Sequence, residues 1–547
     1  MLKKVIALCM ALLLPAAVLS GCSSGDGEEA EPVYFSYPID EMPQRLDPTV
    51  ASTLAERTVI ANCMEGLVRV DSAGNIVPGV AQTINISDDG LRYEFQLRQD
   101  AKYHVFSSEE GEEAYFPEGF DNRVTAHDFV FALRRALDPA MGCPDAKRFY
   151  AIKNARQVNE GTLAVDQLAV YAQGDYTLVI ELETATQDFL SLLTLSSAMP
   201  CSEQFFNSTG GRYGLELELM LYNGPYYLSR WDKDGSSVII RKNNDYAGEN
   251  VATSGGITLM IDDDEKNRYD NVSDGTYDAT SLGAEYTAEL SERTKMTVTR
   301  RENIVWGICV NTQDSTMADL NMRLALFYSI DPSLLTMPEE MTAQAYGVVP
   351  ASCRSGAYPY REAAGQADLI AYDAAAAQNY WSQAKQAVGV SSVSLKLMCT
   401  EEFESQMRKL IQGCQSVFGI AVSIGLESVD RSTFEKRLAA GDYQIAFAPI
   451  RAESDSPAAF LAQFVGNAAS GNIVQYHSDI YDDLAAQAMA GAGVHVIRRA
   501  ESHLIQNGVI YPFYTQSTSF VQAKDVSGIF LSPIDGTPSF ISAQRSN

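Results

Sequence analysis

Residues able to do chemistry are scattered along this chain, and few of them gather. Gly21-Cys22-Ser23-Ser24-Gly25 has the Gly-x-Ser-x-Gly spacing that presents a nucleophilic serine between a strand and a helix. Here it lies between an apolar leader and a polar tether, so the match is a chance one. The five histidines, His104, His127, His477, His495 and His503, show neither His-x-x-x-His nor His-Glu-x-x-His spacing. His477 with Asp479, Asp482 and Asp483 could be drawn as a metal set, but Tyr481 breaks up the run of acids. Asp262-Asp263-Asp264-Glu265 lacks the glycine and ligand spacing of a calcium loop and reads as a solvated turn. His127 follows Thr125, a capping residue, and reads as structural. No phosphate loop and no nucleophile–base pair is present. The sequence therefore predicts no catalytic group, no cofactor and no metal site.

Of the nine cysteines, Cys9 lies in the leader and Cys22 ends the segment Leu19-Ser20-Gly21-Cys22. The seven others, Cys63, Cys143, Cys201, Cys309, Cys353, Cys399 and Cys414, are odd in number and show no Cys-x-x-Cys pair. They read as small core residues, with no disulfide assigned. Cys22 is different. Lys3-Lys4 precede the apolar run Val5–Leu19, which is short for a membrane span and suited to a secretory signal. The four residues ending at Cys22 look like a lipobox, where a bacterial lipoprotein is cleaved and diacylated on the cysteine. Residues 1–21 are then a signal peptide and 22–32 a lipidated polar tether. The expectation is a protein anchored to the cell membrane on its extracytoplasmic face, at a cell surface or in a periplasm.

The bulk composition fits that location. The 547 residues exceed what one core supports and predict two or three compact units. With 46% hydrophobic and 20% charged residues the chain reads as globular. Its 41 basic and 70 acidic residues give a net charge of −29, which argues against nucleic acid or anionic lipid as a partner.

The elements that position these residues are organised around 91–139. Leu91, Tyr93, Phe95 and Leu97 alternate with Arg92, Glu94, Gln96 and Arg98, the period of a strand with one buried face. Thr125 then caps a helix carrying Phe129, Val130, Leu133 and Leu137, which stops at Pro139. Around this block the reading places a strand at Val33–Tyr37, a helix from Glu56 to Leu67 and a hairpin over Asp71–Pro78. Ala164–Val170 and Asp175–Leu182 read as two strands around a turn, as do Tyr222–Leu228 and Val238–Arg241. Later come a strand at Ile304–Val310, a helix over Met322–Phe327 and an alanine-rich helix over Tyr372–Ala387. Val393–Met398, Glu402–Phe418 and Ile420–Leu426 follow as strand, helix and strand, the mark of a parallel α/β unit.

The wording of these segments is more specific than their periods. Tyr93-x-Phe95-x-Leu97-Arg98 with Val124-Thr125-Ala126-x-Asp128 resembles a signature of the bacterial extracellular solute-binding proteins of family 5. These are the oligopeptide, dipeptide and nickel binders of ABC importers. Leu46-Asp47-Pro48, Glu65-Gly66-Leu67, Asn223-Gly224-Pro225-Tyr226, Arg241-x-Asn243-x-x-Tyr246 and Asn311 with Arg323-x-Ala325 extend the resemblance over about residues 33–520. It implies an α/β fold, a two-lobed clamshell of the type II periplasmic-binding-protein kind. The first lobe would be 33–280 plus 515–547, with an inserted small domain at about 65–200. The second lobe would be 281–514, with crossings near Asp278–Gly283 and Tyr511–Ser517. The implied function is capture of small peptides between the lobes and delivery to ABC permease subunits, by a monomer that is not an enzyme. A nickel chelate or an oligosaccharide as solute, or a peptide sensor on the same fold, stays open.

The resemblance also nominates ligand-facing residues. Ser52-Thr53-Leu54 lie where the oligopeptide binders run a first-lobe edge along the peptide. Pro449–Pro457 matches a second-lobe loop of the form Trp-x-x-Asp-Tyr-x-x-Pro, whose acid binds the peptide α-ammonium. Glu453 takes that acid's place here, Ile450 stands for the tryptophan, Ser454 for the tyrosine, and Arg451 is an added charge. A solvated loop carboxylate is the alternative for Glu453. For Arg451 the alternatives are a ligand carboxylate or Glu453 itself.

Overall fold

The computed structural model describes residues 32–105, 117–186, 189–283, 286, 295–338, 341–355, 358–452, 455–466, 472–489 and 492–546. The lipobox, with Cys22, and the pair Glu453–Ser454 lie outside these residues. The longer strands are β1 (Tyr34–Ile39), β2 (Ala81–Ile86), β3 (Arg92–Leu97), β4 (Val170–Ala172), β5 (Thr177–Glu181), β6 (Tyr226–Trp231), β7 (Ser237–Lys242), β8 (Gly256–Ile261), β9 (Ala279–Leu282), β10 (Met296–Val310), β11 (Val393–Thr400), β12 (Val422–Val429), β13 (Ile445–Arg451) and β14 (Ile510–Ala523). The helices that matter below are α1 (Leu54–Cys63), α2 (Ala126–Leu137), α3 (Glu404–Phe418) and α4 (Arg431–Ala440).

Three sheets grow from these strands. The first runs β1-β8-β7-β6, with β1 parallel to β8 and the rest antiparallel. The second, β2-β3-β5-β4, is antiparallel throughout. In β3 the side chains of Tyr93, Phe95 and Leu97 are buried, as their alternation predicts. The helix of the same block, α2, turns Phe129 and Leu133 into that sheet's core. The third sheet runs β9-β14-β10-β13-β11-β12. Within it β11 is parallel to both β12 and β13, so β11-α3-β12-α4-β13 alternates strand and helix.

Each sheet has its own apolar core. Phe35, Val59, Ile240, Leu259 and Phe540 share one, so the beginning and the end of the chain close the same interior. Phe95, Phe129, Phe149 and Ile180 share a second, which reaches from Leu67 to Leu221. The third holds Ile304, Phe447, Leu504 and Tyr514. Strand β14 passes between cores: Ile510 to Tyr514 pack in the third, Phe520 in the first. Its neighbour β10 packs Ile304 and Ile308 in the third core, while Met296 and Val298 lie against a smaller cluster of Tyr269, Val272, Tyr277, Leu282 and Val521, and the β10–β14 register breaks between Arg301 and Ile304.

Two sequence expectations differ in detail. Helix α1 spans Leu54–Cys63, not Glu56–Leu67, because the Asn223 side chain pulls Glu65 out of it. Glu65 donates its N–H to Asn223 Oδ1 at 3.1 Å, and Asn223 Nδ2 donates to the Glu65 carbonyl at 2.8 Å. Of the expected strand at 164–170, Val165–Gln167 is a 3₁₀ turn and the strand begins at Val170. Cys63, Cys143, Cys201, Cys309, Cys353, Cys399 and Cys414 are buried free thiols.

Candidate functional site

The first candidate edge is held from below by a buried ion pair. Leu46 is fully buried and donates its N–H to the Gly214 carbonyl at 2.7 Å. Gly214 has φ +73°, and a Cβ there would meet the Asp47 nitrogen at 2.2 Å, so the approach needs glycine. Asp47 Oδ1 accepts from Thr49 N–H at 3.1 Å, and its Oδ2 accepts from Arg135 Nη2 of α2 at 2.6 Å. The Arg135 guanidinium lies over the Phe206 ring at 4.1 Å. Loop 46–51 is thereby fixed to α2, and it delivers the chain to α1.

At that helix start Thr53 is the N-cap. Its Oγ1 accepts from Glu56 N–H at 3.2 Å, while Glu56 Oε2 accepts from Ser52 N–H at 2.8 Å and Thr53 N–H at 3.3 Å. This is a capping box, so the Thr53 hydroxyl and the Ser52 amide are engaged in starting the helix. The Ser52 and Leu54 side chains stand exposed, Leu54 at 41%.

The second candidate stretch ends β13. Ile450 pairs with Val305 of β10, and its side chain is 1% exposed within the third core. Its aliphatic bulk is therefore spent on packing, and the position offers a ligand backbone only. Arg451 pairs with Ile304, is exposed, and lies within electrostatic reach of Arg431 and Glu435 on α4. Beyond Glu453 and Ser454, the next residue is tied down. Asp455 donates its N–H to the Pro533 carbonyl at 3.0 Å, and its carbonyl accepts from Arg354 N–H at 2.7 Å. The Asp455 carboxylate pairs with Arg301. Among the described residues, no hydrogen bond or ion pair joins Ser52–Leu54 to Ile450–Arg451.

Sequence reasoning assigned no role to Arg301, Asp455 or Pro533. Ser532-Pro533-Ile534-Asp535-Gly536 is legible as a turn, but nothing in it announces a contact with a residue near 455. A cavity of about 70 Å³ was missed in the same way. It lies between Glu65, Arg69, Thr194 and the hairpin carrying Asp535 and Thr537. Arg98 Nη2 and the Tyr246 hydroxyl each reach Glu65 at 2.6 Å, and burial beside that carboxylate pushes the Tyr246 phenol up. Such a space suits a few waters and not a peptide.

The remaining chemistry is structural. Burial pushes the Cys201 thiol up to about 12 and the Cys414 thiol up to about 11, so neither is a thiolate at neutral pH. Tyr476 hydroxyl and His503 Nε2 are 2.9 Å apart, and burial lowers the His503 imidazole. Asp482 Oδ1 accepts from Gly466 N–H at 3.2 Å, which uses one acid of the His477 group in a loop tie. Among the described residues, no three His, Cys, Asp or Glu side chains converge as a metal set, and no helix is long and apolar enough to cross a membrane.

Comparison with known proteins adds four findings. The family described as bacterial extracellular solute-binding proteins, family 5 Middle, matches residues 75–472. The chain is 24% identical to oligopeptide-binding protein OppA of Bacillus subtilis over 560 aligned positions, covering 97% of each. It is 24% identical to dipeptide-binding protein DppE of the same organism, covering 90% of this chain and 88% of that one. Its fold is similar to that of Listeria monocytogenes OppA bound to peptide, with a TM-score of 0.72 and 23% identity over 95% of this chain and 100% of that one.

Proposed function

Because the chain belongs to the bacterial extracellular solute-binding proteins of family 5, we propose that it captures oligopeptides between two lobes and delivers them to the permease of an ABC importer. The observation that carries this reading is the correspondence, over 97% of both chains, with an oligopeptide-binding protein. The proposed lobes are 33–280 plus 515–547, with a small domain at about 65–200, and 281–514. Three separate cores support that division, and the passage of β14 between two of them supports a hinge there. Closing such a hinge on solute couples binding to a population shift.

The peptide would run along the Ser52–Leu54 edge against the exposed Ser52 and Leu54 side chains, with its own side chains in loose, wet pockets. Glu453 would meet the α-ammonium, and Arg451 a carboxylate. Lipidation at Cys22 would hold the protein on the extracytoplasmic face of the membrane. The protein acts as a monomeric binder and not as an enzyme; thiols pushed out of the reactive range support this. Native mass spectrometry of protein purified without refolding tests the reading. A retained mixture of short peptides is expected, and a retained nickel chelate or oligosaccharide would overturn it.

A further inference from the structure

Three segments meet where β10 bends before it enters the third core. Arg301 is the last β10 residue paired with β14 before the register breaks, so it sits at the bend. Asp455 lies between Ala452 and Ala458, both packed in the third core. Pro533 is in the turn between two short strands, Phe530–Leu531 and Pro538–Ser539. That hairpin belongs to the first core through Ile529 and Phe540, and Asn62 of α1 clamps it. Asn62 Nδ2 donates to the Pro538 carbonyl at 2.9 Å, and Asn62 Oδ1 accepts from Phe540 N–H at 2.9 Å.

The Pro533 carbonyl accepts two donors from the other side of the bend, Asp455 N–H at 3.0 Å and Arg301 Nη2 at 3.3 Å. Arg301 also pairs with the Asp455 carboxylate, so one guanidinium donates to that carbonyl and orients the residue that supplies the second donor. Arg354 N–H, at 2.7 Å from the Asp455 carbonyl, fixes the residue from its own side.

We propose that Arg301 and Asp455 form a latch on the Pro533 carbonyl that biases the ligand-free protein toward its closed arrangement. Neither side chain need touch the solute; both are positioning residues. A closed state that is already populated raises apparent affinity by the fraction present, and a latch sets that fraction without altering any ligand contact. Pro533 contributes its carbonyl to the latch, so a substitution that removes its ring leaves the accepting atom in place.

The latch rests on the two-lobed fold and not on the identity of the solute, so its test uses ligand-free full-length protein. Hydrogen exchange is followed at the Asp455 amide, and the radius of gyration by solution scattering. Arg301→Ala and Asp455→Ala are each expected to speed exchange at residue 455 at least tenfold and to enlarge the radius, with exchange in β13 unchanged. Arg301→Lys should recover part of both effects, and Pro533→Ala, which keeps the carbonyl, should change neither. Unaltered exchange and radius in both alanine variants would overturn the latch and leave peptide capture standing. A Pro533→Ala variant that loosens the junction as much as Arg301→Ala would also overturn it, since ring packing would then be what holds the hairpin.

Discussion

Breaking the Asp47–Arg135 pair should cost more than its single hydrogen bond suggests. The two side chains are 9% and 5% exposed, with Arg135 Nη2 2.6 Å from Asp47 Oδ2. Opposite charges whose centres lie about 4 Å apart attract by roughly 4 kcal/mol at an effective dielectric constant near 20. Desolvation offsets much of that when both are present, but removing one partner strands the other. With Asp47→Ala, the guanidinium stays between the Phe206 ring and Cys201 Sγ, at 3.4 Å, with no anion, and its Nε already lacks a partner. A loss of about 3–5 kcal/mol is expected from Asp47→Ala or from Arg135→Met. Asp47→Ala combined with Arg135→Met should lose far less than the sum of the singles, since no buried charge remains. Urea denaturation at neutral pH measures this, with unchanged slopes certifying that midpoint shifts are stability changes. Single losses below about 1 kcal/mol, the range of exposed pairs, or strict additivity in the double variant would refute the reasoning.

Burial, opposed by hydrogen bonds from Thr125 and assisted by Asp121, pushes the Asp128 carboxyl up to about 7. The folded state then binds more protons than the unfolded one between about pH 4 and pH 7, so stability should fall as pH rises through that window. Asp128→Asn should flatten the slope in chemical denaturation across pH 4–8, and an unchanged slope would count against the assignment. Cys22→Ala should abolish fatty-acid labelling and release the protein from the membrane; equal labelling of variant and parent would refute the anchor. For Glu453→Ala, calorimetry with any peptide found to bind should show a loss of about 2–5 kcal/mol, as for one member of a buried charge pair. Acetylating the peptide α-amine should cost about as much, and the two changes together little more; equal binding of acetylated and free peptide to the parent would make Glu453 a surface charge.

The sequence by itself determined what depends on local period and wording. Tyr93, Phe95 and Leu97 bury one face of β3 because a strand alternates. Thr125 and Asp128 start α2 because the bonds that the Thr125 N–H and hydroxyl donate to Asp128 Oδ2 are local. The parallel unit β11-α3-β12 was legible from strand and helix periods in succession. Tertiary structure decided what depends on distant partners. The end of α1 was set by Asn223, which lies 158 positions from Glu65. Ile450 was read as facing solute, yet the apolar face of β13 turns it into the third core. Thr53, read beside Ser52 and Leu54 as one edge, is engaged by the helix cap. The junction of Arg301, Asp455 and Pro533 joins residues 154 and 232 positions from Arg301. A charged side chain and a prolyl carbonyl carry no pattern that names each other; only the meeting of the first and third cores beside the β10 bend brings them within hydrogen-bond reach.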